Sequence, residues 1–221
     1  DVIAQANNAD VVVFVGGISP YLEGEEMKVS EPGFNGGDRT DIELPQPQRD
    51  VITALHNAGK KVVFVNCSGG AVGLEPESNN ADAILQAWYP GEQGGKAVAD
   101  VLFGDVNPSG KLPVTFYRNV SQLPDFLDYK MKGRTYRYFK GSPLFPFGYG
   151  LGYSLFSFGK PKYDKSKLYV DVANNGKYDG DEIVQIYIRR IADIDGPLKT
   201  LKAFKRVNVR HGKHTLVSID M

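Results

Sequence analysis

The sequence has little cysteine, little histidine and no excess of charge of either sign. It contains one cysteine and three histidines in 221 residues, and Lys+Arg and Asp+Glu number 26 each. A single cysteine excludes an intrachain disulfide and a cysteine metal cluster. The charge balance predicts no basic surface for nucleic acid, and no apolar run approaches the length of about 20 residues that spans a bilayer. We therefore expect no metal, no cofactor, and neither nucleic acid nor a membrane as a partner.

Two sequence signatures of common α/β enzymes are also missing. A phosphate-binding turn needs a glycine-rich connection between a strand and a helix. Gly16-Gly17 leads instead into an acidic loop, whose carboxylates would repel phosphate. The G-x-S-x-G turn of serine hydrolases does not occur. These absences argue against a nucleotide-binding domain and against serine hydrolase chemistry.

The first part of the chain alternates short apolar runs with segments of helical periodicity. The predicted strands are 11–15, 61–66 and 83–88, and the predicted helices are 1–9, 47–58 and 93–103. Strands that are apolar on both faces and alternate with helices are typical of a mostly parallel sheet flanked by helices. We therefore predict an α/β sandwich domain over residues 1–155. Its last part, 107–155, is an aromatic-rich connecting segment with one more strand predicted at 111–117.

After residue 156 the hydrophobic pattern changes to a period of two, which is typical of antiparallel strands. Antiparallel strands of this kind commonly form a β-sandwich. An immunoglobulin-type sandwich needs about 100 residues, and fewer remain here. We therefore predict that 156–221 is an incomplete antiparallel β-sandwich. The chain also starts without an initiator methionine or a signal-peptide pattern. We expect it to be the interior of a longer polypeptide.

The most informative stretch is the loop from Gly16 to Pro45, which follows the first predicted strand. Compact domains seldom keep loops of about thirty residues unless the loop has a function. In parallel α/β sheets, ligands bind beyond the carboxyl ends of the strands, where this loop starts. The loop contains Glu23, Glu25 and Glu26. Position and chemistry together favour a functional role for these carboxylates.

The local geometry of this acidic cluster follows from the expected extended chain. The prolines, the glycines and the weak apolar periodicity argue against a helix within the loop. In extended chain Glu23 and Glu25 would share one face and Glu26 the other. Like charges held together raise the pKa of at least one member, which prepares a carboxylic acid to donate a proton. A solvated acidic loop is the alternative, and spacing does not separate the two.

Several motifs resemble family 3 glycoside hydrolases in the right order along the chain. GGISPYLEGEE followed by GGDRTDIELP is similar to a characteristic segment of that family. WYPGEQGGKAVADVLFGDVNPSGKLPVTFY and PLFPFGYGLGYSLFSF resemble its later motifs. NNGKYDGDEIVQIYI with LKAFKRV is similar to its fibronectin type III-like tail. The resemblance implies a retaining β-glycosidase built from a (β/α)8 barrel, an α/β sandwich and a fibronectin-like domain.

The resemblance also implies roles for individual residues. Glu25 matches the second glutamate of an E-x-E motif and would be the general acid/base, with Glu23 beside it. This chain inserts EMKVSEPGFN before GGDRT, which leaves the choice among Glu23, Glu25 and Glu26 open. The residues expected to bind substrate in an aglycone site are Tyr21 and Phe34. The residues expected to anchor the loop structurally are Asp38 and Arg39.

The partners follow from the same resemblance. In the family a barrel aspartate is the nucleophile, and no motif of this barrel occurs in the 221 residues. We therefore expect the N-terminal barrel of the same polypeptide as a partner, an oligosaccharide or aryl glycoside as substrate, and an inactive isolated chain. The motif favours a β-xylosidase over a β-glucosidase, acting on terminal non-reducing sugars of plant-type oligosaccharides in the periplasm or outside the cell. The alternative is a non-catalytic carbohydrate-binding or scaffold module on the same fold.

Overall fold

A computed structural model describes residues 2–221, which form two compact units. The first unit comprises the residues up to 95 together with 116–128 and 141–145, and the second comprises 96–115, 129–140 and 146–221. The domain boundary predicted after residue 155 stays a prediction. The elements of the first unit are α1 (Val2–Gln5), β1 (Val11–Gly17), α2 (Pro20–Glu23), β2 (Phe34–Asn35), β3 (Asp38–Arg39), α3 (Gln46–Asn57), β4 (Lys61–Cys67), α4 (Glu75–Asn80) and β5 (Ala83–Gln86).

The first unit is built on a parallel sheet in the order β1-β4-β5. β1 pairs with β4 from Val11↔Lys61 to Gly17↔Cys67, and β4 pairs in parallel with β5. Helix α3 packs on this sheet through Ile52 and Leu55, which are fully buried, as are Val62 and Phe64 of β4. These helix residues stand three apart and therefore lie on one face. The three predicted strands and the helix after the long loop are confirmed.

The second unit is antiparallel. Its elements after the helix α5 (Gly94–Leu102) are α6 (Thr135–Tyr138), β6 (Phe156–Phe158), β7 (Lys162–Asp164), β8 (Lys167–Asn174), β9 (Gly180–Ile188), β10 (Thr200–Val209) and β11 (His214–Asp220). One sheet has the order β10-β9, and the other has the order β11-β8-β6 with β7 also paired to β8. Their core is Val170, Val172, Val184, Val209, Val217 and Ile219. The predicted fold class, a flanked parallel sheet followed by antiparallel sheets, is confirmed.

Two local predictions were wrong, and two short helices were missed. Residues 111–117 do not form a strand, and only the isolated bridge Phe116↔Phe145 occurs there. Pro113 has no amide hydrogen for a ladder, which explains the failure. The predicted third strand ends at Gln86 rather than Trp88. Short helices α4 and α6 were not predicted, because four to six residues are too few to show helical periodicity.

A buried ion-pair network holds α3, α4 and the end of the long loop together. Arg49 of α3 donates from Nε to Glu77 at 2.7 Å and from Nη2 to Glu43 at 3.0 Å and to the Gly73 carbonyl at 3.0 Å. Glu77 is only 1% exposed. Burial alone lowers the pKa of Arg49, but its hydrogen bonds and charge interactions with Glu77 and Glu43 raise it overall. Breaking this network leaves a part-buried guanidinium with fewer partners.

Replacing Glu77 should therefore destabilise the first unit. Glu77→Ala removes two hydrogen bonds to Arg49 and should lower the free energy of unfolding by about 3–5 kcal/mol. Urea unfolding followed by tryptophan fluorescence measures this change. Glu92→Ala, at an exposed site, is the matched control and should change stability by less than about 0.5 kcal/mol. Equal stability of the two variants would contradict the network's role.

The beginning of the long loop is fixed by the side chain of Gln48 from helix α3. The Gln48 side chain accepts from the Gly17 amide at 2.7 Å and donates to the Gly17 carbonyl at 2.8 Å. Gly17 has φ +126°, and a Cβ there would lie 1.9 Å from the Cys67 carbonyl oxygen. Only glycine fits this position. The exit angle of the loop is therefore set by Gly17 and held by Gln48.

Changing Gln48 should loosen the start of the loop. Gln48→Ala leaves two part-buried backbone groups of Gly17 without their partner and should cost about 1–3 kcal/mol of stability. Hydrogen–deuterium exchange should become faster in residues 17–35. Gln46→Ala, on the exposed side of the same helix, serves as the control and should leave the exchange of the loop unchanged. Unchanged exchange in Gln48→Ala would show that other contacts fix the loop.

Candidate active site

The site lies where three loops leave the carboxyl ends of the parallel strands. The loop after β1 begins with Ile18, whose amide donates to the Cys67 carbonyl at the end of β4 at 2.8 Å. The loop after β4 contains Ser68 and Gly69, and the loop after β5 contains Tyr89. All three meet within the first unit. The prediction that the acidic loop stands at this edge agrees with the observed geometry.

The long loop contains a helical turn, contrary to the prediction. Helix α2 covers Pro20–Glu23. The hydroxyl of Ser19 accepts from the Leu22 amide as an N-cap, Pro20 stands in the first turn, and Gly24 closes the turn at φ +62°. Capping and proline placement, rather than apolar periodicity, make this turn. The expectation that Glu23 and Glu25 share one face of an extended chain was therefore wrong.

Glu23 is bound to the loop after β5. The Tyr89 hydroxyl lies 2.8 Å from Glu23 Oε2 and 2.9 Å from the Ile18 carbonyl oxygen. One hydroxyl carries one proton, so these two acceptors share it. Burial, followed by the hydrogen bond and charge of Glu23, raises the pKa of Tyr89 to about 12. Tyr89 therefore stays a protonated donor throughout the physiological range.

The backbone at Gly69 makes room for this contact. A Cβ at position 69 would lie 2.6 Å from Tyr89 Cε2 and 3.3 Å from Glu23 Oε2. The preceding residue is fixed by side chains at the strand ends, because Gln86 Nε2 donates to Ser68 Oγ at 3.1 Å and Ser68 Oγ donates to the Gly70 carbonyl at 2.8 Å. The loop after β4 is thus a fixed surface against which the Tyr89 ring packs.

Arg39 anchors the far side of the loop. Its Nη2 donates to the Glu43 carbonyl at 3.1 Å, and its guanidinium lies 5.7 Å from the ring centre of Phe34. Burial lowers the pKa of Arg39, while the charges of Asp41, Glu23 and Glu43 oppose this shift. Its buried Nε has no hydrogen-bond partner within residues 2–221. Arg39 therefore ties β3 to the end of the loop and keeps one donor unused.

The other predicted site residues differ sharply in exposure. Tyr21 is 79% exposed, whereas Phe34 is 8% exposed and faces Arg39. Glu25 and Glu26 are both exposed, with Glu26 at φ +58°, and Asp38 is exposed on the hairpin β2–β3. Glu23, Arg39 and Phe34 thus make contacts that hold the loop. Tyr21 and Glu25 remain on the surface.

Sequence reasoning missed the residues that hold this loop in place. Gln48, Gly69 and Asp41, whose carboxylate accepts from the Glu43 amide at 2.8 Å, carried no recognisable motif. Tyr89 follows a strand end, and Trp88 beside it contacts Phe116 edge-on with ring centres 6.0 Å apart. The usable signal was position, since Tyr89 and Gly69 both follow strand ends at the edge where the acidic loop begins.

Residues 2–221 contain neither a metal-binding cluster nor a membrane-spanning helix. No three His, Cys, Asp or Glu side chains in this range lie close enough together to hold a metal ion. None of the helices in the same range is long and apolar enough to cross a bilayer. The polar groups that meet at the site are carboxylates, a phenol and a guanidinium.

Comparison with known proteins identifies the family. The model of the glycosyl hydrolase family 3 C-terminal domain matches residues 1–153. A xylan 1,4-β-xylosidase of Xylanibacter ruminicola is 53% identical over 100% of this chain and 26% of its own length. A periplasmic β-glucosidase of Salmonella typhimurium is 38% identical over 100% of this chain and 30% of its own length.

Solved structures of such enzymes share the fold. A β-glucosidase of Erythrobacter marinus is 38% identical with a TM-score of 0.82, over 99% of this chain and 30% of its own. A β-glucosidase of Listeria innocua in complex with isofagomine is 29% identical with a TM-score of 0.80, over 100% of this chain and 32% of its own. The chain thus spans about a quarter to a third of the length of the relatives it matches. It belongs to glycosyl hydrolase family 3, and residues 1–153 correspond to the family's C-terminal domain.

Proposed function

We propose that this chain is the C-terminal part of a retaining, exo-acting β-glycosidase that removes terminal non-reducing sugars from plant-type oligosaccharides. The observation that carries the proposal is the loop after β1, which is fixed at the carboxyl edge of the sheet while Glu25 stays exposed on it. In this proposal the chain supplies the general acid/base. A (β/α)8 barrel of the same polypeptide supplies the nucleophilic aspartate.

The proposed chemistry needs two carboxyl groups with opposite duties. The barrel aspartate attacks the anomeric carbon while Glu25 protonates the departing oxygen, and a glycosyl-enzyme intermediate forms. Glu25 as carboxylate then takes a proton from water, which displaces the aspartate with net retention. Retaining glycosidases hold the two carboxyl groups about 5–5.5 Å apart. An exposed carboxyl on a fixed loop can approach a second domain this closely, whereas Glu23 already accepts a hydrogen bond from Tyr89 of the loop after β5.

The contacts within the loop support Glu25 over its neighbours as the acid/base. Glu23 already accepts a hydrogen bond from Tyr89 and lies within the charge field of Arg39. Glu26 stands one residue beyond Glu25 in a left-handed backbone conformation, at φ +58°. Glu25 is exposed and follows the fixed Gly24 cap directly.

The remaining predicted residues divide in the same way. Tyr21 is exposed on α2, four residues before Glu25, and we assign it to the aglycone side of the substrate. Phe34 is buried beneath Arg39, so its contribution to that site would be to shape the loop. Arg39 is a structural anchor through the Glu43 carbonyl. Asp38 remains assigned as an anchor by its motif position.

The preferred sugar is proposed to be xylose. The 53% identity to a xylan 1,4-β-xylosidase exceeds the 38% identity to a periplasmic β-glucosidase over the same chain, which supports this choice. Comparing kcat/KM of the full-length protein on 4-nitrophenyl β-xyloside and β-glucoside tests the preference. A higher value on the glucoside would reverse the assignment and leave the β-glycosidase proposal intact.

Replacing Glu25 in the full-length protein tests the function directly. Glu25→Gln should reduce hydrolysis of xylobiose by about a hundred- to ten-thousand-fold, because an unactivated leaving group needs protonation. Azide should restore turnover of 2,4-dinitrophenyl β-xyloside, since this nucleophile needs no general base, and should give β-xylosyl azide. Glu26→Gln, the adjacent exposed carboxyl, is the matched control and should retain activity.

Hydrolysis that survives Glu25→Gln would contradict the assignment of the acid/base. If the isolated 221-residue chain also bound oligosaccharides, that result would favour a non-catalytic carbohydrate-binding module. Loss of activity in Glu26→Gln with azide rescue would move the acid/base one residue along the loop.

The isolated chain should not hydrolyse glycosides. It would bring one of the two carboxyl groups, and removing either catalytic carboxylate should cost at least about a hundredfold in rate. Incubating the purified chain with 4-nitrophenyl β-xyloside and measuring released 4-nitrophenol checks this expectation. Turnover above the rate of Glu25→Gln in the same chain would show that both carboxyl groups lie within it.

A further inference from the structure

We propose that Tyr89 is a positioning residue, which holds the loop carrying the acid/base by binding Glu23 and the Ile18 carbonyl. This inference rests on the proposed function, because it assigns Tyr89 a role in the proton transfer made by Glu25. It also assigns a structural role to Glu23. Glu23 accepts the hydrogen bond of Tyr89, and Glu25, two residues later, donates the proton to the substrate.

The two acceptors of Tyr89 enclose the short helix before Glu25. Ile18 precedes the Ser19 cap, and Glu23 is the last residue of α2. The hydroxyl lies 2.9 Å from the Ile18 oxygen and 2.8 Å from Glu23 Oε2. One phenol thus connects both ends of the helical turn to the loop after β5, and Glu25 follows this turn after a single glycine. A shift of the turn would move Glu25 with it.

Packing behind the ring limits how Tyr89 can move. Gly69 brings the loop after β4 so close that a Cβ there would lie 2.6 Å from Tyr89 Cε2. Ser68 next to it is held by Gln86 from β5. The ring is therefore confined on the side of the sheet, and its hydroxyl is directed at the turn. These contacts are consistent with a residue that fixes the distance between the loop after β1 and the loop after β5.

The charged groups around this contact favour a strong hydrogen bond. The Arg39 guanidinium acts on both Glu23 and Tyr89. The phenol stays protonated at neutral pH, because its pKa is raised to about 12. A hydrogen bond to a charged acceptor is about twice as strong as one between neutral groups. Tyr89 is 41% exposed and this hydrogen bond lies at the surface, so loss of the hydroxyl should let the turn move without unfolding the unit.

The test uses Tyr89→Phe in the full-length protein, which keeps the ring and removes the hydroxyl. We expect kcat/KM on xylobiose to fall by roughly tenfold, which corresponds to about 1.4 kcal/mol of lost transition-state stabilisation. For 2,4-dinitrophenyl β-xyloside, whose leaving group needs no proton, kcat/KM should fall by less than about twofold. With that substrate kcat should rise on addition of azide. A general loss of folded protein would lower kcat/KM equally on both substrates, and azide would not raise kcat.

A double-mutant cycle separates Tyr89 acting through Glu23 from an independent effect. Glu23→Ala should reproduce the selective loss on xylobiose, and adding Tyr89→Phe to it should cause no further loss beyond about twofold. Gly69→Ala should give the same leaving-group pattern by displacing the ring, and it serves where Tyr89→Phe folds poorly. Tyr163→Phe, an exposed tyrosine of the second unit, is the hydroxyl-removal control and should leave both substrates unchanged.

Three results would overturn the proposal. They are equal losses on both substrates, no loss in Tyr89→Phe, and full additivity with Glu23→Ala. The proposed function is tested separately, because it fails when the parent is inactive on β-glycosides or when Glu25→Gln remains active. An active parent with an inactive Glu25→Gln and an unaffected Tyr89→Phe would leave the function standing and refute the role of Tyr89.

Discussion

The site depends on the attachment of a long loop to the carboxyl edge of a parallel sheet. Ordering backbone costs about 1–2 kcal/mol per residue, whereas a typical hydrogen bond returns about 1 kcal/mol, so no single contact can hold such a loop. The structure distributes the task among Gln48 at the Gly17 exit, Tyr89 at the helical turn, and Arg39 with Glu43 at the end. Glu43 is in turn held by the Arg49–Glu77 pair. Two of these attachments, at Gln48 and at Glu43, thus depend on helix α3, which is packed on the sheet through Ile52 and Leu55.

This arrangement separates two glutamates that the sequence presents as equivalent. Glu23 accepts a hydrogen bond from the Tyr89 hydroxyl of the loop after β5 and lies near the charge of the Arg39 guanidinium, so part of its hydrogen-bonding capacity is already used. Glu25 lies beyond the Gly24 cap and is exposed. A group that must exchange a proton with a ligand has to keep its hydrogen-bonding capacity available, and structural contacts consume that capacity. Under the proposed function, the different roles of Glu23 and Glu25 therefore follow from the backbone turn between them.

The regular elements could be predicted because their hydrophobic periodicity is local. The runs around Val11, Val62 and Ile84 and the spacing of Ile52 and Leu55 were sufficient for the sheet and for α3. The turn at Pro20–Glu23 was missed, because capping of four residues leaves no periodic signal. The Tyr89–Glu23 contact joins residues 66 positions apart, and nothing in either local sequence specifies it. Loop position relative to the strand ends was predictable, but the pairing of side chains across loops was not.

The exposure of Glu25 leaves its carboxyl group open to a partner surface. In water a carboxyl group is well solvated, and it becomes a useful acid near neutral pH when burial or a second carboxylate disfavours its charged form. Glu25 is exposed among residues 2–221, so a surface that closed over it would remove water from its carboxyl group. Under the proposed function, the barrel and the bound sugar would do so at the moment the proton is needed. In this proposal the fixed loop sets where Glu25 stands, and the approaching partner sets when Glu25 can donate its proton.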